Sequence, residues 1–177
     1  TLHNNGAVKA VIEKLKEGGH TYEKDGALWL KATDFGGDQD FVLVRSNGFP
    51  TYIVPDIAYH YDKLITRAYD KAINVLGADH HGYVQRMRIA LSALGIDDKR
   101  LDVVIMQMVM LIRDGKPCKL SKRSGKAITL TTLLDEVPID AARFVFNQRN
   151  ADTHLEFDLD LAVEESSKNP VFYVQYA

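Results

Sequence analysis

Cysteine is nearly absent from the 177 residues: Cys118 stands alone. One thiol cannot close an intramolecular disulfide or build a multi-cysteine zinc site. There is also no apolar run of about 18 residues and no stretch with the form of a signal peptide, which points to a cytoplasmic chain without a membrane partner. A surplus of one charge is missing as well. The net charge of -2 argues against a protein held to nucleic acid by a global basic field, and leaves only local basic patches. Nucleotide fingerprints are scarce too: no Gly-x-Gly-x-x-Gly occurs, and a Walker A loop would need Gly where Leu120 stands and Ser or Thr where Ala127 stands.

What is present is a composition of 46% hydrophobic residues, enough for one domain with a sizeable core. Thr1 is not an initiator Met, and 171–177 is an apolar, aromatic run with no stop signal. The expectation is a fragment of a larger enzyme. Val8, Val11, Ile12 and Leu15 recur on a 3.6-residue period, which predicts a short amphipathic helix closed by Gly18-Gly19. Asp25-Gly26 opens the run Ala27 to Lys31. A second run, Phe41 to Arg45, ends at the turn pair Asn47-Gly48, so the first quarter reads as a small β-rich piece. The acids between these strands, in 34–40, are expected to be solvated.

From residue 51 onward strands and helices alternate. Thr51 to Val54 reads as a short strand feeding a helix from Pro55 to about Tyr69. Ala72 to Gly77 is a buried strand, 78–82 a loop, and Tyr83 to Leu94 a helix closed by Gly95. Leu101 to Ile112 reads as one central strand. Such alternation predicts βαβ units and a parallel sheet. Further on, Thr131 or Thr132 can cap a helix into Glu136, Ile139 to Asn150 is a helix, and the tail from Asp158 is helical with one break at Asn169-Pro170.

In such sheets ligands bind beyond the carboxyl ends of the strands, so the loops there carry the candidate chemistry. Gly77-Ala78-Asp79-His80-His81-Gly82 joins a strand to a helix, where backbone N–H groups face the helix mouth and Asp79 can accept from ribose hydroxyls. A plain helix cap with one packed histidine would explain the same residues. Adjacent histidines also raise the question of metal, but neighbours i and i+1 do not easily face one ion and no Glu or Cys partner has zinc spacing. No structural metal is expected. Tyr52 and Asp56 sit four apart: either Asp56 complements the helix dipole, or it is a recessed carboxylate beside a phenol, fit for a guanidinium. Lys119-Leu120-Ser121-Lys122-Arg123 follows the turn Arg113-Asp114-Gly115 and reads either as a solvated charged loop or as a receptor for a polyphosphate.

Together, in this order, these loops resemble the class I aminoacyl-tRNA synthetases, the arginyl-tRNA synthetase family among them. Lys119 to Arg123 matches the family's Lys-Met-Ser-Lys-Arg signature with Leu for Met. Thr51-Tyr52-x-x-Pro55-Asp56-Ile57-Ala58-Tyr59-His60, the 77–83 loop, Asp140-Ala141-Ala142-Arg143-Phe144 and 169–177 extend the likeness over essentially the whole chain. The resemblance implies an α/β fold: the second half of a Rossmann-like parallel sheet (51–157), after the end of an inserted β-rich subdomain (1–50), with a helical tail (158–177). The family's other signature, His-Ile-Gly-His, lies in the first half and does not occur here. Implied roles follow. Lys119 and Lys122, with Arg123 in the same catalytic loop, would neutralise the ATP phosphates as pyrophosphate leaves, and Ser121 would help hold the loop's conformation. Asp79 and His80 would face the ATP ribose or the adenylate, with Gly77 allowing close approach and backbone near Met108 and Val109 bordering the adenine. Tyr52 and Asp56, assisted by His80, would read L-arginine. ATP with its accompanying Mg2+, L-arginine and tRNA(Arg) are the implied partners of the whole enzyme, and the fragment alone is expected to be inactive. Another class I synthetase or nucleotidyltransferase, or a non-catalytic RNA-binding module, stays open at this point.

Overall fold

The structure, a computed structural model, describes residues 6–118 and 129–177. Lys119, Ser121, Lys122 and Arg123 therefore lie outside the described residues. The chain divides into two compact units, Thr1–Val104 and Ile105–Ala177.

In the first unit α1 (Ala7–Glu17) forms where the apolar period predicts it and buries Val8, Val11 and Leu15. Gly19, at φ 73°, turns the chain out of the helix. An antiparallel sheet follows, in the order β1 (Thr21–Lys24), β2 (Ala27–Leu30), β3 (Phe41–Val44). β1 has no signature in the sequence, yet its cause is local. Asp25 and Gly26 both adopt positive φ, 52° and 72°, the backbone of a two-residue turn whose twist suits paired strands. Lys24 therefore pairs with Ala27 and Thr21 with Leu30.

Helix α2 (Ile53–Tyr61) corrects the expected strand at 51–54: Ile53 and Val54 are already helical and buried in the core. Burial of those two side chains overrides their β preference, and Pro55 falls in the first turn, where N–H groups have no helical partner anyway. The helix widens into a π turn, Asp62–Thr66, where the Arg67 N–H donates to the Asp62 carbonyl at 2.8 Å. Arg100 then occupies the carbonyls of Leu64, Tyr69 and Asp70 with its guanidinium. Strand β4 (Ala72–Gly77), a short turn, α3 (His81–Ala93) and β5 (Leu101–Met106) complete the pattern, with β5 hydrogen-bonded to β4. The core gathers α1, β2, β3, α2 and α3, with Leu30, Leu43, Ile57, Met87 and Leu91 fully buried. One of the acids in 34–40, the part-exposed Asp40, is also hydrogen-bonded. Asp40 accepts from the Thr33 N–H and hydroxyl at 3.0 and 2.9 Å, which holds its carboxyl below the ordinary range.

The single strand expected over 101–112 is two. The Gln107 N–H donates to the Ala151 carbonyl at 2.8 Å instead of a sheet neighbour, and the next segment, β6 (Val109–Arg113), has other partners. It pairs parallel with β8 (Leu155–Asp158), Val109 opposite Leu155, and antiparallel with β7 (Lys116–Pro117) through a turn with Asp114 and Gly115 at positive φ. Around this parallel pair stand α4 (Leu130–Glu136), capped by the Thr129 hydroxyl rather than Thr131 or Thr132, α5 (Ile139–Asn147), α6 (Leu159–Val163) and α7 (Pro170–Tyr176). They enclose Leu111, Val137, Ala141, Phe157 and Val171. The Asn169-Pro170 break is the start of α7: Asn169 Oδ1 accepts from the Val171 N–H at 3.0 Å, and Pro170 needs no donor at that position.

Candidate functional site

Along α2, from its N-cap into the π turn that follows, Tyr52, Asp56, Tyr59, His60 and Lys63 have the i, i+4, i+7, i+8, i+11 spacing that puts side chains in one stripe. That stripe, with Ile73, Asn74 and Val75 of β4 and with His80 and Tyr83, lines a cleft of about 370 Å³. A second recess, about 330 Å³, is lined by Tyr52, Asp79, His80, Gly82, Tyr83 and Arg86. Tyr52, His80 and Tyr83 belong to both. The residues expected to read a cation and those expected to face a ribose are thus assembled within one unit.

Asp56 is the half-buried acid of the cleft. The Tyr83 hydroxyl donates to its Oδ2 at 3.0 Å across 27 positions of sequence. Burial, then the Asp56 charge, pushes the Tyr83 phenol well above its ordinary range, so it stays protonated and donates. Tyr52 is 71% exposed, so its ring is free to lie over a ligand. His80 places Nδ1 3.0 Å from Asp79 Oδ1, and its ring meets Tyr83 edge-on at 6.4 Å. Gly77 is extended, and a Cβ there would stand 2.7 Å from Asp79 Oδ1, so a side chain at 77 would displace that carboxylate. Met108, 72% exposed, and the half-buried Val109 stand at the opening of β6 in the second unit.

Below Asp56 runs a hydrogen-bonded chain that the sequence reading did not assign. Buried His60 lies with Nδ1 2.7 Å from the Asp56 carbonyl, a contact that requires N–H on Nδ1. Nε2 then carries the lone pair, and Asn74 Nδ2 donates to it at 2.8 Å. Asn74 Oδ1 in turn faces Lys63 Nζ at 3.5 Å, and Lys63 rests 4.5 Å from the centre of the Tyr59 ring. Burial holds both the His60 and Lys63 pKa values below their ordinary ranges. Two signals could have revealed this chain: the helical stripe on α2, and a lone polar residue, Asn74, inside the apolar strand Ala72 to Leu76. Among the described residues no group of three His, Cys, Asp or Glu side chains could hold a metal ion, and no helix is long and apolar enough to cross a membrane.

Residues 2–169 match the family model described as tRNA synthetases class I (R), catalytic domain. The arginine–tRNA ligase of Caldanaerobacter subterraneus subsp. tengcongensis is 60% identical over all of this chain, which covers 32% of that relative. The arginine–tRNA ligase of Bacillus subtilis is 53% identical, again over the whole chain and 32% of the relative. Among solved structures, a Campylobacter jejuni protein assigned as an arginyl-tRNA synthetase superposes with a TM-score of 0.86 at 43% identity, over 96% of this chain and 37% of that one. Thermus thermophilus arginyl-tRNA synthetase gives a TM-score of 0.78 at 20% identity, over 97% of this chain and 38% of that one, a likeness of fold. The chain spans about a third of the length of the curated relatives it matches.

Proposed function

The chain belongs to the catalytic-domain family of the class I (R) tRNA synthetases, and on that premise we propose that it is the arginine-reading segment of a cytoplasmic arginine–tRNA ligase. In this reading the whole enzyme joins L-arginine to ATP, releasing pyrophosphate, and passes the arginyl group from the adenylate to the terminal ribose of tRNA(Arg) for protein synthesis. Residues 1–50 are the end of an inserted subdomain, 51–157 the second half of the Rossmann domain, and 158–177 the lead into a helical domain.

The observation that best supports the reading is the Asp56 carboxylate, held by the Tyr83 hydroxyl at 3.0 Å in a cleft with an exposed phenol, Tyr52, beside it. A carboxylate in that setting suits a planar cation with parallel N–H donors. Asp79 and His80, in the adjoining recess, take the nucleotide ribose, with Gly77 leaving room for the Asp79 carboxylate. Backbone near Met108 and Val109 borders the adenine. His80 also lines the Asp56 cleft and assists there. Lys119 and Lys122 neutralise the departing phosphates, with Arg123 in the same loop and Ser121 holding the loop's conformation. Mg2+ keeps much of its water and binds through phosphate oxygens, so in this reading it travels with the ATP.

Arginine-dependent pyrophosphate exchange, measured in the full-length protein with tRNA(Arg) present, tests the reading. Asp56→Ala should raise the KM for arginine by roughly 100-fold or more, the scale of a lost charge-assisted bidentate contact. An unchanged KM would sink the assignment of Asp56.

A further inference from the structure

In the arginine reading Tyr83 has been given no task of its own. An aspartate carboxyl on a helix can swing about its last torsion, which is broad and only two-fold. A donor fixed on another element removes that freedom. Tyr83 is such a donor: it stands in the first turn of α3, its hydroxyl reaches Asp56 Oδ2 on α2, and its ring is kept in place by the edge of His80. Each carboxylate oxygen offers two lone-pair sites. Oδ2 therefore keeps one site after accepting the phenol, and Oδ1 accepts no hydrogen bond among the described residues. A ligand consequently meets a carboxylate that has both oxygens available and one plane already chosen.

The choice of plane separates two kinds of cation. A guanidinium carries parallel donors in a rigid fork and gains two bonds only when its plane and the carboxylate plane coincide. An ammonium is a point charge with rotatable donors and gains little from a fixed plane. Resting on the proposed arginine reading, we propose that Tyr83 is a positioning residue that sets the plane of the Asp56 carboxylate and thereby the preference of the cleft for guanidinium over ammonium. Its phenol is suited to this because burial keeps it protonated through the neutral range.

The test is a double-mutant cycle in the full-length protein, comparing wild type, Tyr83→Phe, Asp56→Ala and the double variant. KM for arginine, KM for ATP, kcat and the inhibition constant of lysine against arginine are read in tRNA-supported pyrophosphate exchange. Loss of a hydrogen bond to a charged group predicts that Tyr83→Phe raises the arginine KM roughly tenfold. The lysine constant should move less than about threefold, and the effect on arginine KM should exceed that on kcat or on the ATP KM. On the Asp56→Ala background the same substitution should add almost nothing. The inference is overturned if arginine and lysine weaken equally, if the arginine KM does not respond, or if the effect persists in full without Asp56. A protein that loses kcat and melting temperature together on Tyr83→Phe would assign Tyr83 to packing, which also overturns it. If Asp56→Ala itself leaves the arginine KM unchanged, the arginine reading falls first; if only Tyr83→Phe is silent, that reading stands and the role of Tyr83 falls alone.

Discussion

Acidification below about pH 6.5, the ordinary histidine value, should weaken the first unit through one side chain. His60 is buried, and its Nε2 accepts from Asn74 while its Nδ1 donates to the Asp56 carbonyl. Protonation would put two donors, Nε2–H and the Asn74 amide, face to face. Turning the Asn74 amide over would relieve that clash only by aiming its NH₂ at the Lys63 ammonium. Burial lowers the His60 pKa first, and the Lys63 charge adds to it; the Asp56 carbonyl, Asn74 and the Asp56 charge oppose it without prevailing. The folded state thus binds fewer protons than the unfolded chain between the folded and unfolded pKa values, so stability falls as pH falls through that window. A single proton sets the limit at about 1.4 kcal/mol per pH unit, hence no more than about 2 kcal/mol between pH 6.5 and 5. The only tryptophan, Trp29, lies on β2 and reports this unit by fluorescence in urea titrations. His60→Gln is the reference, since an amide oxygen can still accept from Asn74 and does not titrate. The other histidines are common to both proteins and cancel. Wild type should lose stability relative to His60→Gln on going from pH 7 to 5, and parallel pH profiles would refute the reasoning.

Four further substitutions probe the fold. Leu15→Ala removes a fully buried side chain of α1 and should cost about 2–5 kcal/mol in the same Trp29 titration. Asn169→Ala removes the α7 cap and leaves the Glu164 carbonyl without its 2.9 Å donor; a loss of about 1–3 kcal/mol should appear as faster amide exchange over 171–176. Gly37→Ala places a Cβ 2.8 Å from Ile89 Cδ1 and 3.0 Å from the Ala32 carbonyl, and should lower stability by about 1–3 kcal/mol. Gly82→Ala meets nothing within 4 Å, and should leave stability level or raise it by up to about 1 kcal/mol, as thermal melts would register.

The elements legible in the sequence were those whose cause is local: the α1 period, the turn at Asp114-Gly115, the apolar strand β4 and the break at Asn169-Pro170. Those misread depend on partners far along the chain. Nothing near Ile53 and Val54 says that a core of α1 and the antiparallel sheet will bury them on a helix. The break at Gln107 is made by Ala151, and β8 exists because β6 offers it a parallel edge. The site divides similarly. Tyr52, Asp56, Asp79 and His80 were visible as residue types at strand and helix ends. The bond from Tyr83 to Asp56 and the chain from Lys63 through Asn74 to His60 join elements whose proximity only folding creates.

The parallel pairing of β6 with β8 also sets an order of events during synthesis. β6 meets β7 across a turn of about 5 residues, whereas its partners in β8 are roughly 45 residues further on. Closing the longer loop costs about 2 kcal/mol more in chain entropy, so the short hairpin forms first. A ribosome adding about 5–20 residues per second needs about 2–9 s to deliver β8. For that interval the β6 edge carrying Val109 and Leu111 lacks its β8 partner and is open to a chaperone or to a neighbouring chain.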